Sequence, residues 1–418
     1  MAQAFDQTPA KMTGELWMFS DNPLLFTFYE GGAVAGSNLF DASTTTDFYF
    51  KVELYIEDLF ISEHKVYISQ QYTDGSSLVY AYGKFDCAEA VRNYASVNTR
   101  NADLVTTATA TKYRIYFTPE YVSSGTPTSG TRTASTPYYA QKGKLTKQDW
   151  IDFGNDLLFT GGNNIHYTSQ FPSSEQYLVA LDEEVHGLFS MDDTITPDRI
   201  DIELFDATGS SITTTTFIIL SPVAGTQMLN ISPQKLIDDT ALTTANFSTC
   251  ASYTVELYVN ATPTDTSGTV TFHIDADCTR FDHIRLYFLA KCGSIEAFTF
   301  KNMHKKTVTN KLSETQSTFG EWNEDAFEYS KESFEARTRL IESKEQITIH
   351  SDWMSEEVQN WLVKNLFTSP LIVMEQNSVF ESVTIKSTTY EEKQHKNITL
   401  INETITLMKS IQNSSMQL

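Results

Sequence analysis

The run DFYFKVELYIEDLFISEHKV, residues 47–66, decides the fold class. Phe48, Phe50, Val52, Leu54 and Ile56 share one parity, with charged or polar side chains between them. Successive side chains of a strand point to opposite faces, so this period of two predicts half-buried strand. Outward from it, Gly75-Ser76 reads as a turn, LVYAYGKFD (78–86) as a further extended stretch, and YRIYFTPEY (113–121) as a closing strand. DCAEAVRNYA (86–95) reads as a short helix capped by Asp86, with Ala88, Val91 and Ala95 on its inner side. VSSGTPTSGTRTASTPY (122–138) is dense in Ser, Thr, Gly and Pro and is expected to be a long loop or hinge. It ends a first β-sandwich-like domain, residues 1–150.

A second set of short strands follows at regular spacing. EQYLVALD (175–182), RIDIELFDATGSSITTTTFIIL (199–220, with a Thr-Gly-Ser turn), SYTVELYVNA (252–261), TVTFHIDADC (269–278), HIRLYFLAKC (283–292) and AFTFKN (297–302) predict a second β-sandwich over 151–304. Residues 305–331 are polar and read as a linker arm. A smaller α+β domain is expected over 332–418: strand-like EARTRLIESKEQITIHS (335–351), then a helix in SDWMSEEVQNWLVKNLFTSP (351–370). Ser355 is its natural N-cap, Glu356 and Glu357 suit the positive end of the dipole, and Pro370 stops it. Val358, Trp361, Leu362 and Leu366 share one helical face, and the strands in 379–392 and 396–410 are expected to receive it.

Composition agrees with a mainly β protein. Twenty-seven Phe and twenty Tyr, with abundant Thr, Val and Ile, suit a pleated surface better than a helix. With 418 residues the chain is too long for one core, and 20% charged residues is globular composition. The net charge of -23 repels phosphate backbones and anionic lipid, which argues against nucleic-acid and membrane partners. Cys87, Cys250, Cys278 and Cys292 form no CxxC pair and read as buried small hydrophobes from a reducing cytosol. The first residues, MAQAFDQTPAKMTGELWMF, have no basic region followed by an apolar one, so no export signal is expected.

No motif carries chemistry. His273, Asp275 and Asp277 alternate along a strand and could face a cation together, but a solvated sheet face accounts for the same pattern. Asp182, Glu183, Glu184 and His186 read as a solvated loop. Gly31-Gly32 and Gly161-Gly162 lack phosphate-loop spacing and read as turns, and there is no Gly-x-Ser-x-Gly. A pair of carboxylates for glycoside hydrolysis requires closeness in space, which no sequence spacing here indicates. Trp353 and Trp361 would suit sugar stacking if exposed, but beside an amphipathic helix they read as core or subunit contacts.

Two segments resemble virion proteins of tailed phages of Bacteroidetes, including the crAss-like group. Cys278 to Phe300 (CTRFDHIRLYFLAKCGSIEAFTF) resembles their Cys, strand, Gly-step, aromatic-strand segment, with Ala290 in place of Asn and Ser294 in place of the second Gly. Ser351 to Glu357, Trp361-Leu362 and Thr368 to Pro370 resemble their strand-to-helix element, in the same order; Asn22-Pro23 and Phe85-Asp86 fit more loosely. The resemblance implies a tail hub, ring or connector component in the virion, assembled in the host cytoplasm with copies of itself and with other tail or portal-proximal proteins. It implies no catalytic residue, cofactor or metal. The matched residues Trp353, Trp361, Leu362, Pro370, Phe288, Gly293, Phe298 and Phe300 are expected to serve structure and assembly. A receptor- or glycan-binding tail module is the alternative, and a glycan-degrading enzyme a further one.

Overall fold

A computed structural model describes residues 4–7, 17–31, 45–68, 70–73, 79–95, 105–106, 110–146, 165–191, 196–219, 227–259, 265–275, 281–316, 321–323, 326–328, 336–386 and 400–410. The protein is mainly β, with few and short helices. It divides into two compact units, residues 1–276 with 290–296, and residues 277–289 with 297–418.

The first unit holds two apolar cores, each between two sheets. In the first, the strand Thr45–Ile56 lies between Leu59–Tyr67 and Thr111–Ser123. The parity read from the sequence is the buried one: Phe48, Phe50, Val52, Leu54 and Ile56 join Tyr113, Ile115 and Phe117. Facing them are Leu24, Phe26 and Phe28, the last two from the strand Leu25–Gly31. Phe28 packs edge-on to Phe50 at 4.8 Å and stacks on Phe117 at 5.2 Å, geometries that add to their burial. The helix Ala88–Tyr94 starts at Cys87, and Asp86 just before it accepts the Ala88 and Leu24 amides.

The stretch expected to be a long loop is different. The strand Thr111–Ser123 runs into it, Ser124 and Gly125 turn with positive φ, and Thr126–Ser129 folds back as its partner, followed by Thr133–Ala134. β-branched Thr suits a pleated strand, and a two-residue turn with positive φ at both positions matches strand twist, so the composition of a loop conceals a hairpin. The turn expected at Gly75-Ser76 lies outside the described residues.

The second core lies between a sheet of Ile165–Tyr167, His186–Met191, Gln227–Asn230 and Val105–Thr106 and a sheet built on Leu178–Val179, Val270–Ile274, Ser252–Val259, Arg199–Phe205 and Ser211–Ile218. Ile200, Ile202, Leu204, Tyr253, Val255, Leu257 and Phe272 fill it from one side, Phe189 and Leu229 from the other. Val105–Thr106 pairs with Met228 and Leu229, and Ala110 and Tyr139 pack on this core. Residues from the sequence range of the first sandwich thus contribute a strand and packing side chains to the second, and both lie in one unit.

A seven-stranded sheet, all of it in the second unit except Ile295 and Glu296, runs in the order Ile295–Phe300, Ile284–Leu289, Ile372–Gln376, Val379–Ile385, Thr404–Lys409, Ala336–His350, Lys305–Gln316. The helix Glu356–Leu366 is capped by Ser355, whose hydroxyl accepts the Val358 amide at 3.3 Å, and Glu356 and Glu357 occupy its first turn. Val358, Trp361, Leu362 and Leu366 are all buried. Trp361 meets Phe288 at 5.6 Å and Phe298 at 6.3 Å.

Three expectations change here. The aromatic strands within 283–300 were assigned to the second sandwich, yet Tyr287, Phe288, Phe298 and Phe300 belong to the unit of the helix. The helix is received by Ile284–Leu289 and by the short ladder of Met354–Ser355 with Leu400–Ile401, so of the two segments expected to receive it 396–410 does so, through Leu400–Ile401. The run Ile284 to Leu289, apolar apart from Arg285, is buried at every position, as a strand covered on both faces must be. Where the sequence suggested a linker, Lys305–Gln316 is a strand paired with Ala336–His350, and Glu321–Asn323 pairs with Ala326–Glu328.

Candidate functional site

The outward parity of the first sheet carries the most organised surface chemistry. Tyr49, Lys51, Glu53 and Tyr55 alternate with the buried set of their strand, and register places them beside Lys65 and Glu63 on one side and Glu120, Tyr116 and Arg114 on the other. The Arg132 guanidinium lies 3.7 Å from the Tyr116 ring centre and donates to Glu53 at 2.5 Å and to the Tyr55 hydroxyl at 3.2 Å. Tyr55 packs edge-on to Tyr116 at 5.0 Å and to Phe60 at 5.6 Å. Lys65 sits 4.5 Å over Tyr49, whose hydroxyl donates to Glu120. The result is a ladder of stacked cations and aromatic rings across neighbouring strands.

Its edge is a strained hairpin. Glu57 and Asp58 both hold positive φ, at 49° and 61°, in the two-residue turn before Leu59. Non-glycine residues there cost on the order of 1–3 kcal/mol each. The turn is held by Glu57, which accepts the Lys112 amide at 2.7 Å, and by Asp58, which pairs with Lys112 at 3.0 Å and Arg114 at 2.6 Å. It projects Leu59 and Phe60, 66% and 55% exposed, while Tyr67, 68% exposed, stands at the far end of the same strand beside Tyr49.

The charges on this face are already matched. Hydrogen bonding to Lys112 holds Asp58 below the usual carboxylate range, and Glu63 holds Lys51 above the usual range for lysine. Glu53 likewise raises Arg132, and the Glu120 carboxylate raises the Tyr49 hydroxyl. Cations committed to carboxylates and rings have little left to offer a phosphate. Apolar and aromatic side chains fixed in place suit a protein surface.

A second polar constellation lies inside the first unit. Gln141 donates to the Cys292 carbonyl at 2.8 Å and accepts from Ser190 at 3.1 Å, and Ser190 bonds Thr168 at 2.8 Å. Glu296 accepts from the Ser169 hydroxyl, the Gln170 amide and the Ser294 hydroxyl at 2.9, 2.8 and 3.1 Å. Burial, followed by the Glu296 charge, pushes the Cys292 thiol up to about 12. A thiol so held is protonated and inert, so these groups tie segments together.

No family model matches the chain. No curated protein matches it either. Among solved structures, a pair of tandem titin Ig domains aligns over 62% of this chain and 90% of its own, at 6% identity and a TM-score of 0.19. The C-terminal domain of the Streptococcus pyogenes antigen I/II-family protein AspA aligns over 65% and 98%, at 8% identity and a TM-score of 0.16. Parabacteroides merdae β-glucuronidase aligns over 67% and 30%, at 12% identity and a TM-score of 0.13. Scores this low carry no argument about fold or function.

The residues singled out from the sequence are scattered. Trp361, Leu362, Phe288 and Phe300 are buried and Phe298 is half-buried around the helix, whereas Trp353 is 64% exposed and Pro370 is exposed. Gly293 turns with φ of +82° against the Lys142 carbonyl in the first unit. His273 and Asp275 are half-buried at the end of their strand, and Asp277 and Cys278 lie outside the described residues. The cluster read as a solvated loop is partly interior: Glu183 is buried and accepts the Ala180 amide, and His186 is buried 3.4 Å from Glu184 because it opens a strand buried over 186–190. Gly31 ends a strand, and Gly32, Gly161 and Gly162 lie outside the described residues. No group of three or more metal-ligating side chains occurs among the described residues, nor any helix long and apolar enough to cross a membrane. The ring-and-cation face was not singled out from the sequence. Its signal was present as Tyr49 and Tyr55 standing on the polar parity of the opening strand.

Proposed function

We propose that the chain is a non-enzymatic structural component of a phage virion, a tail hub, ring or connector protein that assembles with copies of itself and with neighbouring tail or portal-proximal proteins. The resemblance of residues 278–300 and 351–370 to such proteins supports the virion setting. The observation that carries the assembly reading is the outer face of the first sheet, where fixed Tyr and Arg side chains adjoin exposed Leu59, Phe60 and Tyr67. Tyr, Phe and Arg are the side chains enriched in protein interfaces, and holding them in place beforehand reduces the entropy lost on association. Matched charges on that face leave little for nucleic acid or anionic lipid.

Purified particles of the phage that encodes the chain test this reading. Mass spectrometry and imaging with a label on the chain are expected to find it in many copies in the tail region. Its absence from particles overturns the proposal. A glycan-binding tail module is the second reading, favoured by the exposed rings of Phe60 and Tyr67, and binding of host glycan by the isolated chain would support it.

A further inference from the structure

The strands Lys305–Gln316 and Ala336–His350 pair over twelve positions, but the next strand, Thr404–Lys409, pairs only with Gln346 to His350. From Val308 opposite Glu345 to Gln316 opposite Ala336 the sheet is two strands wide among the described residues, a length of roughly 27 Å. Two-stranded ribbons are marginal alone. Every residue from Lys305 to Lys311 is exposed, on both parities, and Val308 is 53% exposed. A strand normally buries one face, and the stretch from Lys305 to Lys311 buries neither.

Its charge sets it apart from the rest of the chain. Lys305, Lys306, Lys311, Arg337, Arg339 and Lys344 oppose only Glu314, Glu342 and Glu345 in these two strands, in a chain whose net charge is -23. We infer that this basic ribbon docks on the acidic surface of a second copy of the chain. Two ribbons of like charge repel, so the contact joins unlike surfaces. Repeated head to tail, such a contact closes a ring or extends a filament. The inference rests on the assembly reading above and names the partner surface for it.

Sedimentation velocity of the full chain over a range of concentrations tests it, at low and at high ionic strength. Self-association is expected at low salt and is weakened by salt, a readout that needs no variant. The variant Lys305→Glu/Lys311→Glu, which spares the Lys306 pair with Glu345, is expected to weaken association by about tenfold or more with an unchanged melting temperature. Lys305→Gln/Lys311→Gln is expected to fall between the two. A chain that stays monomeric at low salt overturns the inference. So does a Glu variant that associates as well as the parent, or better, since lysines that merely guard a sheet edge give that result. Binding of the ribbon to anionic vesicles or DNA without self-association also overturns it. A chain present in particles whose ribbon variants associate normally sinks this inference alone. Salt-sensitive, ribbon-dependent association of a chain absent from particles sinks the virion reading alone.

Discussion

Gln141 holds the backbone carbonyl of Cys292 at 2.8 Å across 151 positions of sequence, and the next residue, Gly293, lies against the Lys142 carbonyl. A Cβ on Gly293 would stand 2.0 Å from that oxygen and 2.8 Å from the Gln141 amide, on a backbone with φ of +82°. Conformation and contact thus act together. Gly293→Ala is expected to cost about 2–5 kcal/mol, as the strain of a left-handed alanine adds to an overpacked contact. Gly209→Ala separates the two, because φ is +79° there and nothing lies within 4 Å of the new methyl. It is expected to cost about 1 kcal/mol by urea unfolding, and equal losses at the two sites would refute the account.

Trp353 and Trp361 stand eight positions apart with opposite surroundings. Trp361 is 4% exposed between Phe288 and Phe298, so Trp361→Ala is expected to lose about 3–5 kcal/mol. Trp353→Ala removes an exposed ring and is expected to stay within about 0.5 kcal/mol. Comparable melting temperatures for the two variants would contradict the packing described.

How far the sequence could be read follows from where the information lies. The alternation at 48–56 and the Ser355 cap are local, each fixed by residues a few positions apart, and both elements form as read. Phe288 and Trp361 meet across 73 positions, and no local period records which layer a strand buried on both faces will join. The strand hidden in Thr126–Ser129 was missed because Thr and Ser serve loops and strands alike, and the deciding feature is the positive φ of Ser124 and Gly125. The ring-and-cation face was half legible. Tyr49 and Tyr55 on a polar parity hinted at it, but Arg132 reaches them only through the register of the fold.

The buried thiols give the protein a defined response to alkali. Burial raises Cys292 to about 12, and burial with the Asp86 charge raises Cys87 further still. At pH 8 roughly one Cys292 in ten thousand is thiolate, so neither thiol is expected to react with a disulfide reagent until the protein unfolds. A folded-state value above the unfolded one means the native state binds the proton more tightly. That contribution is complete below the unfolded thiol value, near 9, and is lost as pH rises toward about 12. Stability is therefore expected to fall as pH rises from about 9 toward about 12. Peptide mapping that finds Cys292 modified in the folded chain at pH 8 would refute this.

Stability and assembly should separate on the outer face of the first sheet. Leu59 and Phe60 are 66% and 55% exposed, so Leu59→Ser/Phe60→Ser removes little buried area and should shift stability by less than about 1 kcal/mol. In the assembly reading the same pair forms the apolar part of a contact, and its loss should exclude the chain from particles, as truncating a central anchor does in other interfaces. Arg132→Ala probes the ladder itself. It removes the stacking on Tyr116 and the main partner of Glu53 at an exposed site, where such interactions contribute about 0.5–1 kcal/mol. Its folding should be nearly normal, while Tyr55 and Tyr116 lose the group that fixes them. Incorporation into particles is then expected to fall in Arg132→Ala and to vanish in the double variant. Normal incorporation of the double variant, with the melting temperature unchanged, would place the contact surface elsewhere on the chain.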